Sequence, residues 1–190
     1  MRISEVLGLT WDAIDLDKKI ITLDKQIIYL RGQGHFFTTP KTKSSNRTIF
    51  ISDFLISELQ SWQNRQAENE KSIGVSYVYI YKAADNKIIQ QSKVLPAESN
   101  RIELVCTKET GHFVLKSAVE KHLHNEGLNA HSFRHTHATM LIEHGATPKG
   151  VAGRLGHSNA AITQNLYTHN TEKIQQDTAD IFEKITQTND

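Results

Sequence analysis

His131 and Arg134 stand three residues apart in AHSFRHTHATML. On a helix that spacing puts both side chains on one face, within reach of the same anion, and the geometry suits a phosphate. Gly156 and His157 fall at the next helix end, where the histidine can swing toward the same pocket. Ten residues further on comes Tyr167. A tyrosine is a poor nucleophile at its free pKa of about 10, so an attack at neutral pH needs electropositive surroundings. Two arginines, a lysine and histidines would supply them.

The formal net charge of +1 is small for a protein that grips nucleic acid, but the average hides a gradient. Arg31 to Ser52 holds no acid while Arg31, Lys41, Lys43 and Arg47 are basic, and His144 to Thr171 holds none beside Lys149 and Arg154. These stretches are candidate phosphate-facing surfaces; solvated faces are the plain alternative. Beyond Thr171 the tail carries 5 acids against 2 bases and masks the basic centre. The single cysteine, Cys106, cannot form an internal disulfide and reads as an inert, half-buried thiol. No apolar run reaches membrane-spanning length and no signal peptide opens the chain, which predicts a cytoplasmic protein without membrane contact.

These residues need elements to hold them, and 190 residues suffice for one domain with a real core. Ile3 to Leu9 reads as a short helix. Lys19 to Leu23, Gln26 to Leu30 and Arg47 to Ile51 read as three short antiparallel strands, with a turn at Arg31 to Gly34. Ser52 caps a helix to about Ala67 with Leu55, Leu59 and Trp62 inward, and Tyr77 to Tyr81 is another strand. Ile88 to Leu95 and Ile102 to Cys106 read as an extra hairpin around Pro96 to Asn100. Helices follow over Leu115 to Asn125, His131 to His144 and from Pro148 to Gly156, then to Tyr167, and a last amphipathic one from Thr171 carries Ile174, Thr178, Ile181 and Ile185 on one stripe. The class is α+β, mostly helical with a small three-stranded antiparallel sheet.

Five pieces, RISEVLGLTWDAIDL, TPKTKSSNRTIFI, HSFRHTHATML, GRLGHSN and NLYTH, occur in the order and spacing of the tyrosine recombinase (phage integrase) family, which the chain resembles outside an apparent insertion at 86 to 106. The resemblance implies a DNA breaking-rejoining fold and site-specific recombination on double-stranded DNA, integrating or excising a mobile element without metal or other cofactor. Residues 1–190 would be the C-terminal catalytic domain, cut short at its N-terminus, with the core-binding and any arm-binding domain absent. Arg2 and Arg134 would clamp the scissile phosphate and Glu5 would orient an arginine. Lys41 would protonate the departing 5′ oxygen, His131 and His157 would contact the phosphate or move a proton, and Tyr167 would form the 3′-phosphotyrosyl bond. Further protomers would dock through the C-terminal helix.

Alternatives stand beside several of these readings. Lys43 competes with Lys41, because residues two apart in a strand share a side; Lys41 matches the family's lysine before threonine. Lys43, Arg47 and Arg154 are assigned to the DNA backbone or the surface. Eight of ten histidines lie between 121 and 170, yet their spacing fits no familiar metal site, so His135 and His137 are assigned to packing or hydrogen bonding. Tyr29, Tyr77, Tyr79 and Tyr81 read as core or sheet-face residues. Competing functions are a non-catalytic fragment that only docks DNA or a partner, and a type IB topoisomerase-like activity.

Overall fold

The computed structural model describes residues 1–39, 45–92 and 101–157. The elements are α1 (Ile3–Leu7), β1 (Ile14–Asp15), β2 (Ile20–Leu23), β3 (Gln26–Leu30), β4 (Gly34–Thr38), β5 (Arg47–Phe50), α2 (Asp53–Ile73), β6 (Val78–Lys82), β7 (Lys87–Ser92), α3 (Lys116–Asn125), α4 (Ala130–Glu143) and α5 (Pro148–Leu155). Among the described residues no helix is long and apolar enough to cross a membrane.

The strands form two sheets, where the sequence pattern suggested one of three strands. The first has the order β1-β2-β5, all antiparallel, with Ile21 opposite Ile49 and Leu23 opposite Arg47. Alternation along β2 and β5 turns Ile21, Leu23 and Ile49 inward, where they meet Leu9, Ile51 and Val105. Leu59 and Trp62 of α2 cover this cluster, as expected, whereas Leu55 is exposed. Trp62 Nε1 donates to the Val105 carbonyl at 2.6 Å and Gln66 Nε2 to Thr107 Oγ1 at 2.6 Å, which fastens the helix to the chain beneath it. The helix runs past Ala67 to Ile73 because its last turns, rich in Glu and Lys, lose the apolar stripe but meet no breaker before Gly74 at φ 58°.

β3 leaves the first sheet for a second, ordered β3-β4-β7-β6. It pairs with β4 across the Arg31 to Gly34 turn. The turn of the hairpin expected around Pro96 lies outside the described residues; β7 pairs with β4 and β6, with Val78 opposite Ser92 and Lys82 opposite Ile88. The turn between β6 and β7 ends at Asn86 with φ 64°, a left-handed conformation that Asn tolerates. Residues after 100 join the core instead: Ile102 N–H donates to the Ile80 carbonyl, Val105 N–H donates to the Leu9 carbonyl, and Leu104 lies buried with Ile27, Ile80, Ile88 and Phe113. Gly111 has no substitute here, because at φ 84° a Cβ would stand 2.2 Å from the Val78 carbonyl oxygen.

α4 and α5 pack through Ala138, Ile142, Val151 and Leu155. Asn129 caps α4 by accepting from Ser132 N–H at 2.8 Å, and Thr147 caps α5 by accepting from Gly150 N–H, with Pro148 in the first turn. Gly156 ends α5 in the left-handed conformation, φ 68°. That end points at the N-terminal residues of the chain.

Candidate active site

Glu5 is the centre of the arrangement. Its side chain is 1% exposed, and Leu7 beside it on α1 is also buried. A buried carboxylate requires partners, and it has two guanidinium groups. Arg47 meets it in a fork, Nη1 to Oε1 at 3.1 Å and Nη2 to Oε2 at 2.9 Å; Arg2 adds Nη1 to Oε1 at 2.9 Å and its backbone N–H to Oε2 at 2.7 Å. Burial alone would raise the Glu5 pKa, but the hydrogen bonds from Arg47 and Arg2 outweigh it and hold the group at about 2.

The C-terminal end of α5 supplies the other anchor. The last carbonyls of a helix lack partners within it and carry partial negative charge. Three consecutive ones, of Arg154, Leu155 and Gly156, each accept from a different arginine: Arg47 Nε at 2.8 Å, Arg134 Nη2 at 2.5 Å and Arg2 Nη2 at 3.1 Å. Arg2 Nη1 also reaches Ser45 Oγ at 3.2 Å. Three guanidinium groups thus surround one carboxylate and one helix end, leaving an excess of positive charge.

Arg134 is buried, 7% exposed, and its Nη1 is buried with no hydrogen-bond partner among the described residues. Desolvation, then the charges of Arg2 and Arg47, lower its pKa to about 10 against the pull of Glu5. His157 follows directly on the helix end and is half-buried; desolvation first, then Arg134, Arg2, His131 and Arg47, push its pKa below the usual histidine value. His131 is exposed one turn before Arg134, and with Arg2 and Arg134 it lines a cavity of about 450 Å³. With Arg2 and Arg134 against one carboxylate, Glu120, the lining is suited to an oxyanion such as a phosphate diester.

Of the residues singled out by sequence, Arg2, Glu5, His131, Arg134 and His157 therefore come together. Lys41, Lys43, Tyr167 and the helix expected after Thr171 lie outside the described residues. Arg47 is not at the surface: its side chain is 6% exposed and spent on Glu5 and two carbonyls, because it shares the inward face of β5 with Ile49. That two-residue spacing was the signal available in the sequence. Arg154 is half-buried, donating to the Phe50 carbonyl at 2.8 Å and making a long 3.4 Å contact with His137. His135 is exposed rather than packed, and Tyr29 is 63% exposed, whereas Tyr77 is buried and Tyr79 lies under Arg101. Burial raises the pKa of the half-buried Cys106 thiol. Sequence reasoning missed Ser45, a buried hydroxyl with no pattern around it to announce its bond to Arg2.

The sequence profile of the phage integrase family matches residues 1–173. The chain belongs to the phage integrase family. A XerC-like tyrosine recombinase of Caldanaerobacter subterraneus subsp. tengcongensis is 34% identical over 186 residues, covering 89% of this chain and 42% of that protein. The ICEBs1 integrase of Bacillus subtilis is 29% identical, covering 97% of this chain and 46% of that protein. This integrase-family chain thus spans less than half the length of these two relatives. Its fold is similar to that of the Tn1549 transposon integrase solved with circular-intermediate DNA, at a TM-score of 0.70 and 19% identity over 95% of this chain and 54% of that one.

Proposed function

We propose that the chain carries the catalytic centre of a tyrosine site-specific DNA recombinase that integrates or excises a mobile element. The observation that carries this reading is the pairing of Arg2 and Arg134 on adjacent carbonyls of the helix end that leads into His157, with Arg134 Nη1 left without a hydrogen-bond partner among the described residues. Family membership supports it.

In the proposed reaction Tyr167 Oη attacks the scissile phosphorus. The Oη–P bond forms, the P–O5′ bond breaks, and a 3′-phosphotyrosyl link keeps the bond energy of the phosphodiester. The phenolic proton passes to His131 or solvent, and Lys41 delivers a proton to the departing O5′. Arg2 and Arg134 offset the charge that builds on the non-bridging oxygens, while His157 donates a hydrogen bond to one of them. Religation to a different 5′ hydroxyl reverses these steps without ATP. The substrate is double-stranded DNA in the cytoplasm, Lys43 contacts its backbone, and further protomers assemble through the segment after Thr171.

The test is selection from a pool of randomised duplexes, each nicked just beyond the cleavage window so that the cut end diffuses away. DNA that stays with the wild-type chain through denaturation, but not with Tyr167→Phe, supports the reading. Equal recovery from both proteins overturns it.

A further inference from the structure

Arg47 stands on β5, yet its guanidinium joins α1 to α5. Its Nε donates to the Arg154 carbonyl at 2.8 Å, its Nη1 to Glu5 Oε1 at 3.1 Å and the Ser45 carbonyl at 2.9 Å, and its Nη2 to Glu5 Oε2 at 2.9 Å. With a side chain 6% exposed it cannot lie on a DNA backbone. The carboxylate that it grips also holds Arg2, and the helix end that it grips continues through the carbonyls bound by Arg134 and Arg2 into His157.

We propose that Arg47 is a positioning residue for the phosphate clamp: it fixes Arg2 through Glu5, and His157 through the last turn of α5, so that both face one phosphate group. This rests on the reading of the cluster as the scissile-phosphate site. A buried pair serving stability alone would need only the fork on Glu5. The bond to Arg154 is the additional feature, because it ties the same guanidinium to the element that carries His157. Lysine cannot replace it: a single ammonium nitrogen cannot form a fork on a carboxylate and reach a third acceptor on the other side.

The experiment compares wild type, Arg47→Lys and the double variant Glu5→Gln/Arg47→Met, using the duplex recovered by the selection above. Arg47→Lys keeps a charge for Glu5, and the double variant removes the Glu5–Arg47 pair together, so neither leaves a buried carboxylate without a cation. Single-turnover adduct formation at saturating duplex should fall on the order of 10- to 100-fold in both variants, since a displacement of about 1 Å at a reacting centre costs that much. The Kd for the duplex should stay at the wild-type value. In Arg47→Lys, where net charge is unchanged, the pH–rate profile should move toward higher pH as His157 leaves the burial and the arginine charges that lower its pKa. A stabilising role alone would move neither the rate nor the profile of the folded protein. Wild-type rate and profile in Arg47→Lys, or a wild-type rate in the double variant, overturns the assignment of Arg47 and leaves the phosphate site intact. Failure of the wild-type chain to form any adduct overturns the phosphate-site reading itself.

Discussion

Arg134 of α4 donates through Nη2 to the carbonyl oxygen of Leu155 on α5, while its buried Nη1 has no hydrogen-bond partner among the described residues. One half of the guanidinium is spent on holding its position, and under the proposed function the other half serves the phosphate. Arg134→Lys should therefore lose both the anchor and the fork. Its single-turnover cleavage rate should drop on the order of 100- to 1000-fold, the usual cost of removing one preorganised oxyanion donor. A rate equal to that of wild type at saturating duplex would exclude Arg134 from the clamp.

Glu5 makes stability depend on pH in a calculable direction. Its folded pKa of about 2 lies below the ordinary value of 4.5, so the folded state favours the ionised form. The contribution is fully present above pH 4.5 and disappears as pH falls from there through about 2; its full size is on the order of 3 kcal/mol. Urea midpoints of wild type and Glu5→Gln should lie apart at neutral pH and converge on acidification. A constant gap between them down to the lowest pH would show that the Glu5 charge is not what the arginines recognise.

Lys41 is assigned the general acid, which a sulfur substitution can test. A thiolate leaves without a proton, so Lys41→Ala should cleave ordinary DNA very slowly yet recover on a duplex with 5′-bridging sulfur. Arg134→Ala should not recover, since its lost charge stabilisation is still required. Lys43→Ala should be mildly affected on both substrates, mostly through backbone binding that weakens further with salt. Rescue of Lys43→Ala in place of Lys41→Ala would exchange the two roles.

The segment after Thr171 is assigned to contacts between protomers through Ile174, Ile181 and Ile185. Sedimentation should show weak self-association of the chain that disappears when residues 171–190 are removed. Identical monomers in both proteins would place the apolar stripe on the protein's own core.

Local pattern carried part of this arrangement. The three-residue spacing of His131 and Arg134 and the helix bounds at Pro148 and Gly156 were legible because each depends on neighbours within one helix turn. Arg2, Glu5, His157 and Tyr167 were recognised by their place in family-like segments. Which strands pair was not legible, since β3 is a short apolar strand of a kind that fits either sheet until Ile80, Ile88 and Phe113 are packed against Ile27. The burial of Arg47 follows from alternation with Ile49, but a charge on a core face is acceptable only once Glu5, 42 residues away in sequence, stands opposite.

If the arginine cluster activates a phosphate for attack by Tyr167, the covalent bond itself is the most direct observable. Wild type and Tyr167→Phe should be incubated with the selected nicked duplex, in buffer containing EDTA, and resolved on a denaturing gel. Wild type should give a protein–DNA adduct at full rate despite the chelator, and Tyr167→Phe none, its DNA affinity staying close to wild type because the clamp is untouched. An adduct that persists in Tyr167→Phe, or wild-type cleavage that requires an added divalent ion, would contradict this chemistry.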